Sequence, residues 1–563
     1  MKTVVIGLDG ATFDLILPWV EEGKLPNLGR VMRQGAWGTL WSVPNMVSPS
    51  AWCSFLTGRN PAKHGIFYFR QRVPGSYRRQ LINGSFRRGK TFIEILSEAG
   101  KRVGTIHVLT TYPAQEVNGL WISGIGAPSP TSEGFAYPVS ALQDVVRNFG
   151  EYILLPQFRK ELQAGSLDVV LDKIREALEY RAQVALYAID NDASWEHFTV
   201  VFDATDTVQH HFWKYLEDPE LDPSLSSAIY SIYHRADQVV GEILSRVDED
   251  TVVIIMSDHG AGFAQHGPDY LNRFLAELGM LNFTRHQNER SWMERLVYKG
   301  FGLFHNHAGR KLKGKALSLF PQLYDRLQSR LAFGGMDWAS TQAFADRDSG
   351  LWRSEIWINV RGREPLGTIE PGEEYEALRD EIIDILMQAT DPITGRPVVT
   401  RVDKKEVIYH GPLIDHAPDL LIHWTYEFPI SGLCYTMPEG RHICVTDEGE
   451  REATVESGSH RPNGILMMYG SPIKQGYHLA AGANIVDVAP TILYLMGQPI
   501  PADMDGHVVL DAVHDSYKQK VQLRMATAHP EQASDKDSLS PVTYDEEERR
   551  EVEERLRALG YIE

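Results

Sequence analysis

Three separate apolar, β-branched runs in this chain each lead into an acidic residue, and that arrangement limits the possible folds more than any other feature. Residues 4–8 run into Asp9, residues 198–202 into Asp203 and Asp206, and residues 251–256 into Asp258. Runs of this length and composition read as buried parallel strands. A fourth lies at 103–108, and helical periodicity separates the runs, most clearly over 161–190. Strands alternating with helices imply a doubly wound α/β core with a mostly parallel sheet. In open α/β sheets, ligands bind beyond the carboxyl ends of the strands, so the three acid-bearing ends are expected to share one crevice. Converging carboxylates repel one another unless cations lie between them.

With 563 residues the chain exceeds a single typical domain. From about residue 267 the texture changes to basic and aromatic helical segments, such as 292–319, mixed with isolated strands at 356–360 and 420–424. We read 1–266 as the first part of a catalytic core and 267–440 as an inserted α+β cap. The core returns at 441–512, with a strand at 464–469 and a helix starting near Asp487. Residues 513–563 are read as a polar linker and an acidic helix that packs back through Val552, Leu556 and Leu559, with Gly560 as its stop.

A formal charge of −19 argues against a nucleic acid polymer or an anionic membrane as partner. Any anionic substrate must therefore meet a local positive site. The three cysteines, Cys53, Cys434 and Cys444, suggest neither a disulfide framework nor a thiolate metal site, which favours a reducing, cytoplasmic setting. The first apolar run is short and interrupted by Asp9, unlike a secretory signal, and no later run has the length of a membrane span.

Histidines accompany the acids. Asp206 and His210 are four residues apart, one face of a helical turn. Asp258 and His259 are adjacent in a turn that Gly260 allows to bend. His460 stands just before the returning strand. Oxygen and imidazole donors without thiolates suit zinc, with manganese or iron as competitors. The segment 48–58 reads as a short helix with Ser48 at its N-cap and Pro49 at its first position, its amides and dipole facing an anion. Asp203 is read as structural because the four-residue spacing to His210 belongs to Asp206. His211 and His64 are read as core or structural residues, and His305 and His307 as surface residues. The basic residues Arg70, Arg72, Arg78, Arg79, Arg87, Arg88 and Lys90 are read as a solvated face paired with the acidic surplus, with contact to substrate phosphate as the sharper alternative; Arg361 and Arg363 are weaker candidates of the same kind.

Taken together, Asp9, the Ser48 segment closing in Thr57-Gly58-Arg59-Asn60-Pro61 and His64-Gly65-Ile66, Asp206 with His210, Asp258-His259-Gly260 and His460 resemble the alkaline phosphatase superfamily. The closest likeness is to its type I phosphodiesterase/nucleotide pyrophosphatase branch. Asp487 to Thr491 and Asp505-Gly506 look like that superfamily's closing segment. The resemblance implies an alkaline-phosphatase-like core and two divalent metal ions, zinc first and manganese second. One would be held by Asp206, His210 and His460, the other by Asp9, Asp258, His259 and the Ser48 oxygen. It also implies a small phosphorylated, nucleotide-like substrate whose phosphodiester or pyrophosphate bond is cleaved through a phosphoserine at Ser48. Thr57 follows Ser48 by nine positions, the family's habit, which prefers Ser48 to Ser50. The branch usually carries an asparagine downstream of its nucleophile to bind a phosphoryl oxygen; the next turn here offers Ser50, Ala51 and Trp52, so Ser50 or backbone amides are the candidates. A phosphomonoesterase or phosphomutase is the near alternative. A sulfatase lacks its arginine, since Trp52 stands there, and a non-catalytic relative would be expected to have lost ligands.

Overall fold

The computed structural model describes residues 1–283, 335–346, 354–446, 457–526 and 541–559. The expected helical stretch 292–319, with His305 and His307, and the stop at Gly560 lie outside the described residues.

The apolar runs become a ten-stranded sheet. At its centre Thr3–Leu8 pairs in parallel with His197–Phe202 on one side and Val252–Met256 on the other. Val103–Ile106 extends the parallel set beside His197–Phe202, and Gly119–Ile122 follows it. All residues of the three central strands are buried, which is why they read as continuous apolar runs rather than alternating ones. The returning strand Asn463–Tyr469 enters antiparallel between Val252–Met256 and Ala36–Trp41. The three acid-bearing strands are therefore immediate neighbours.

Helices cover the sheet. The periodicity expected as one helix over 161–190 is two, Arg159–Gln163 and Leu167–Asn191, divided at Gly165, whose φ of 71° ends the first. The long helix buries Ile174, Leu178, Ala182 and Ala185, every fourth or third residue, against the core. The C-terminal helix Glu546–Ala558 starts on a capping box formed by Asp545 and Glu548 and buries Val552, Leu556 and Leu559.

A second apolar cluster, around Ile356, Trp357, Leu386 and Leu433, underlies a four-stranded sheet with the order Ala343–Phe344, Glu355–Ile358, Leu420–Trp424, Val399–Lys404. It also takes in Tyr77 from the early part of the chain and runs on to Val445. In the hairpin Gly432–Thr436/His442–Thr446, register sets Cys434 opposite Cys444, and the two are joined as a disulfide. This corrects the expectation of unpaired cysteines, which had no access to the register. Cys53 is free and buried. Among the described residues no helix is long and apolar enough to cross a membrane.

Candidate active site

Each acid at a central strand end is held where the strand delivers it. Asp9 is fully buried; its Oδ2 accepts from the indole N–H of Trp52 at 3.1 Å, and the Thr205 hydroxyl fixes its carbonyl at 2.6 Å. Gly10 then turns away at φ 63°, and a Cβ there would lie 2.7 Å from Asp206 Oδ1, so only glycine lets the two acids approach. The Gly10 amide donates to Asp258 Oδ1 at 3.3 Å. Asp206 stands in the first turn of the helix Ala204–Glu217, one turn before His210 on the same face, with 3.2 Å between His210 Nε2 and Asp206 Oδ2. The antiparallel pair Gly260–Phe263/Gly458–Arg461 brings His460 in from two hundred residues away. Its Nε2 lies 3.6 Å from Asp206 Oδ1. Gly458 is needed for that approach, because a Cβ would sit 2.2 Å from the Gln209 carbonyl.

His259 bridges the group. Its Nε2 lies 3.4 Å from Asp258 Oδ2, 3.6 Å from Asp9 Oδ1 and 3.2 Å from the Ser48 Oγ, and its ring stacks on His460 at 3.4 Å. Asp9, Ser48, Asp206, His210, Asp258, His259 and His460 are all buried and all brought together. The Nδ1 atoms of the three histidines meet backbone carbonyls: His210 that of Gly458 at 3.2 Å, His259 that of Gly260 at 2.9 Å, His460 that of Met46 at 2.7 Å. A carbonyl only accepts, so each Nδ1 carries a proton and each Nε2 is the ring nitrogen turned toward the crevice. Second-sphere carbonyls orient metal-binding imidazoles in this way.

The electrostatics point the same way. Burial, then the neighbouring Asp258 and Asp206, raise the Asp9 carboxyl well above its ordinary range, and burial likewise raises Asp258. Burial also opposes the Asp206 carboxylate, but His210, then His460 and His259, outweigh it and hold Asp206 low. Burial and then His259 push His460 well below the usual imidazole range. Asp9 Oδ1 and Asp258 Oδ2 are buried with no hydrogen-bond donor among the described residues. Three carboxylates, two of them with such an oxygen, and three imidazoles form a donor set that fits divalent cations. The ligand atoms fall into two overlapping groups, Asp206, His259 and His460, and Asp9, Asp258 and His259.

The helix carrying the candidate nucleophile spans Ser48–Thr57 and ends at Gly58 with φ 65°. Val47 is its N-cap, which moves Ser48 to the first helical position and Pro49 to the second. The expectation of an amide cradle changes accordingly: Pro49 has no N–H, and the Ser50 and Ala51 amides both donate to the Val47 carbonyl, at 2.9 and 3.0 Å. Ser50 remains a candidate through its side chain, a buried Oγ without a partner among the described residues. The turn after the helix is clamped by the closing segment, with the Asn60 amide on Asp505 at 2.7 Å and Arg59 on Asp503 at 2.8 Å.

Several residues behave as the sequence suggests and others do not. His64 accepts from the Ile66 amide and bonds the Ser54 hydroxyl at 2.9 Å; burial lowers it to about 3, a neutral structural histidine. Asp203 is a buried structural acid, facing His107 at 3.4 Å and Arg181 at 3.7 Å. His211 packs edge-on to Phe158. The basic stretch is paired with acids, as expected, but is solvated only in part: Arg88 is exposed and Lys90 meets Glu98 at the surface. Arg70, Arg72, Arg79 and Arg87 are largely buried and paired with Glu553, Glu364, Asp346 and Glu94. Arg363 pairs with Asp419, and Arg361 with Glu370. Composition showed the positive charges but not which acids meet them: Glu94 lies seven residues from Arg87, whereas Asp346 and Glu364 come from the region of the second sheet and Glu553 from the C-terminal helix. Sequence reasoning also passed over Trp52 as the donor to Asp9; it is the only large polar-tipped residue one turn after Ser48, and that was the available signal.

The chain is similar to phosphonoacetate hydrolase from Sinorhizobium meliloti 1021, solved in complex with phosphonoformate, at 14% identity and a TM-score of 0.50, covering 87% of this chain and 94% of that one. That likeness shows a shared fold. Human ectonucleotide pyrophosphatase/phosphodiesterase 5 is matched at 12% identity and a TM-score of 0.46, over 92% of this chain and 99% of that one. Wild-type alkaline phosphatase PafA is matched at 15% and 0.45, over 91% and 98%. None of the curated proteins compared with the chain matches it. The sequence profile of the type I phosphodiesterase/nucleotide pyrophosphatase family covers residues 3–427, well over half of the chain, and the protein accordingly belongs to that family of the alkaline phosphatase superfamily, hydrolases acting on phosphate esters.

Proposed function

We propose that the chain cleaves phosphodiester or pyrophosphate bonds of a small substrate, with Ser48 as the nucleophile and a phosphoserine intermediate. The observation that carries this reading is the gathering of three histidine Nε2 atoms and three buried carboxylates in one crevice, with His259 Nε2 3.2 Å from the Ser48 hydroxyl. Asp206, His210 and His460 would hold one divalent cation, and Asp9, Asp258, His259 and Ser48 Oγ the other, zinc being the first choice and manganese the second. When bound, the pair supplies positive charge that makes a serine oxygen nucleophilic and neutralises charge on the phosphoryl and leaving oxygens.

The chain's own residues do the rest. Trp52 keeps one Asp9 oxygen occupied, so the other faces the crevice. Ser48 Oγ forms the bond to phosphorus as the bond to the leaving oxygen breaks, and water then attacks the phosphoserine to release phosphate product and restore the hydroxyl. The Ser50 hydroxyl is our candidate to hold a non-bridging oxygen. Residues 267–440 act as the cap that bounds the substrate. A diester is preferred to a monoester because the arginines of the cap boundary are each met by a carboxylate, which leaves little surplus charge for a dianion.

The test compares bis(p-nitrophenyl) phosphate with p-nitrophenyl phosphate, with and without chelator, beside Ser48→Ala. We expect turnover of the diester to exceed that of the monoester and to vanish with chelator or with the substitution. Monoester turnover equal to or above that of the diester overturns the diester reading, and full activity of Ser48→Ala overturns the nucleophile.

A further inference from the structure

Beside Ser48 a cavity of about 330 Å³ opens between the hairpin Arg70–Arg72/Arg79–Leu81 and the cap sheet, a size within the range of small-molecule sites. Val47, the residue before the nucleophile, is part of its lining. Phe69, Val73 and Pro74 form one side and Trp357 of the cap strand the other. Four arginines also reach the lining, yet none brings unbalanced charge. Arg70 is paired with Glu553 at 3.0 Å, Arg72 with Glu364 at 3.1 Å, Arg363 with Asp419 at 2.6 Å, and Arg79 with Asp346.

The pairing decides what the cavity admits. An anion entering the cavity would meet guanidinium groups whose charge is already balanced by carboxylates, and drawing one of them away from its acid would leave a mostly buried carboxylate uncompensated. An uncharged planar group asks for no such exchange. It gains the apolar walls of Phe69, Val73 and Pro74 and the part of Trp357 that the Arg72 guanidinium, 4.7 Å from the ring centre, leaves open.

We propose that this cavity is the leaving-group subsite and that it selects an uncharged, partly apolar alcohol over a phosphate-bearing one. The inference rests on the phosphodiesterase reading above and narrows it, because a pyrophosphate substrate would send a charged group into the cavity. Glu553, from the C-terminal helix, becomes a specificity-determining residue that acts through Arg70.

Two measurements on the full, metal-loaded chain test this. The first compares kcat/KM for methyl p-nitrophenyl phosphate with that for the ester whose leaving nitrophenol carries a ring carboxylate, each divided by its uncatalysed rate. We expect a preference for the neutral phenol of about tenfold. Val73→Trp, which fills the cavity from a half-buried hairpin position, is expected to lower kcat/KM for the neutral ester about fivefold through KM. Glu553→Gln should narrow the neutral-to-anionic ratio about threefold. An equal or reversed preference in the natural sequence, or a Val73→Trp protein unchanged toward both esters, overturns the subsite. The second is saturation-transfer NMR with p-nitrobenzyl alcohol, which needs no turnover. Binding to the natural sequence that is lost in Val73→Trp supports the subsite, and absence of binding overturns it. Failure to hydrolyse either ester sinks the phosphodiesterase reading instead, so the two failures are told apart.

Discussion

The crevice at the strand ends and the boundary between the ten-stranded sheet's core and the four-stranded sheet both bury many charges, but they balance them in opposite ways. In the crevice Asp9, Asp206 and Asp258 lie within a few ångströms of one another, and burial raises two of the three carboxyls. At the boundary every named arginine meets an acid, and Asp419 alone takes Arg363, the Tyr375 hydroxyl at 2.7 Å and the Ile358 amide at 2.7 Å. One region stores unfavourable charge that a cation can relieve. The other is already neutralised and contributes to stability and selectivity. Substitutions that remove a carboxylate should therefore have opposite consequences in the two places.

The largest contrast is in activity. Asp206→Asn removes the carboxylate that His210 and His460 both face, and we expect hydrolysis to fall about a thousandfold or more; because the fold holds that carboxyl low, the unfolding midpoint of the metal-free protein should fall as well. Steady-state rates and denaturant melts on the same preparation check it; retained activity would separate Asp206 from the chemistry.

Next in size is Asp419→Asn. The Asp419 carboxyl is fully buried, and although burial alone would raise it, Arg363 foremost holds it down at about 2. Breaking such a buried pair costs about 3–5 kcal/mol. Because the folded value lies below the ordinary 3.8, the stabilisation is present above about pH 3.8 and is lost as pH falls toward 2. Guanidinium melts at pH 7 and pH 3 should show a large deficit for the variant at pH 7 and a smaller one at pH 3. An equal deficit at both would mean that ionic pairing is not the source.

How much of this contrast was readable beforehand follows from distance along the chain. The strands around Val4, Phe198 and Val253 announced themselves because fully buried parallel strands leave unbroken apolar runs, and Asp9, Asp206 and Asp258 follow directly from those runs. His210 came with Asp206 by helical spacing. His460 depended on resemblance, since nothing local ties Gly458–Arg461 to Gly260–Phe263. The boundary was opaque for the same reason: Arg70 finds its acid at Glu553, nearly five hundred residues on, and Arg72 finds Glu364 in another layer. Charge runs report composition, whereas pairing is a property of the tertiary fold. The first turn of the Ser48 helix was misplaced by one residue because Val47, an apolar residue, occupies the cap position that serine usually takes.

A smaller effect sharpens the comparison by reversing its sign. Asp258→Asn removes a carboxylate that burial raises, and Asp9 and Asp206 stay close by. We expect the metal-free protein to become more stable by about 1 kcal/mol while metal binding and hydrolysis are lost, since one unit of pKa shift corresponds to about 1.4 kcal/mol. Thermal melts in chelator and metal titrations measure the two quantities separately. Destabilisation in chelator would place Asp258 with the neutralised charges of the boundary rather than with the stored ones of the crevice.

The smallest effect isolates orientation from charge. Trp52→Phe keeps an aromatic ring in the core, where Trp52 packs edge-on to Phe55 at 5.6 Å, but removes the N–H that holds Asp9 Oδ2. All formal charges stay in place, so an argument from charge alone predicts no change. If the indole orients Asp9 for a cation, metal affinity should fall about tenfold, the usual scale for losing a second-sphere hydrogen bond. The affinity of the metal-depleted protein for zinc, measured by competition with a chromophoric chelator, reads this directly. Zinc affinity unchanged in Trp52→Phe, beside a loss in Asp258→Asn, would show that the strand end alone positions Asp9 and that the helix carrying Ser48 supplies the hydroxyl and nothing more.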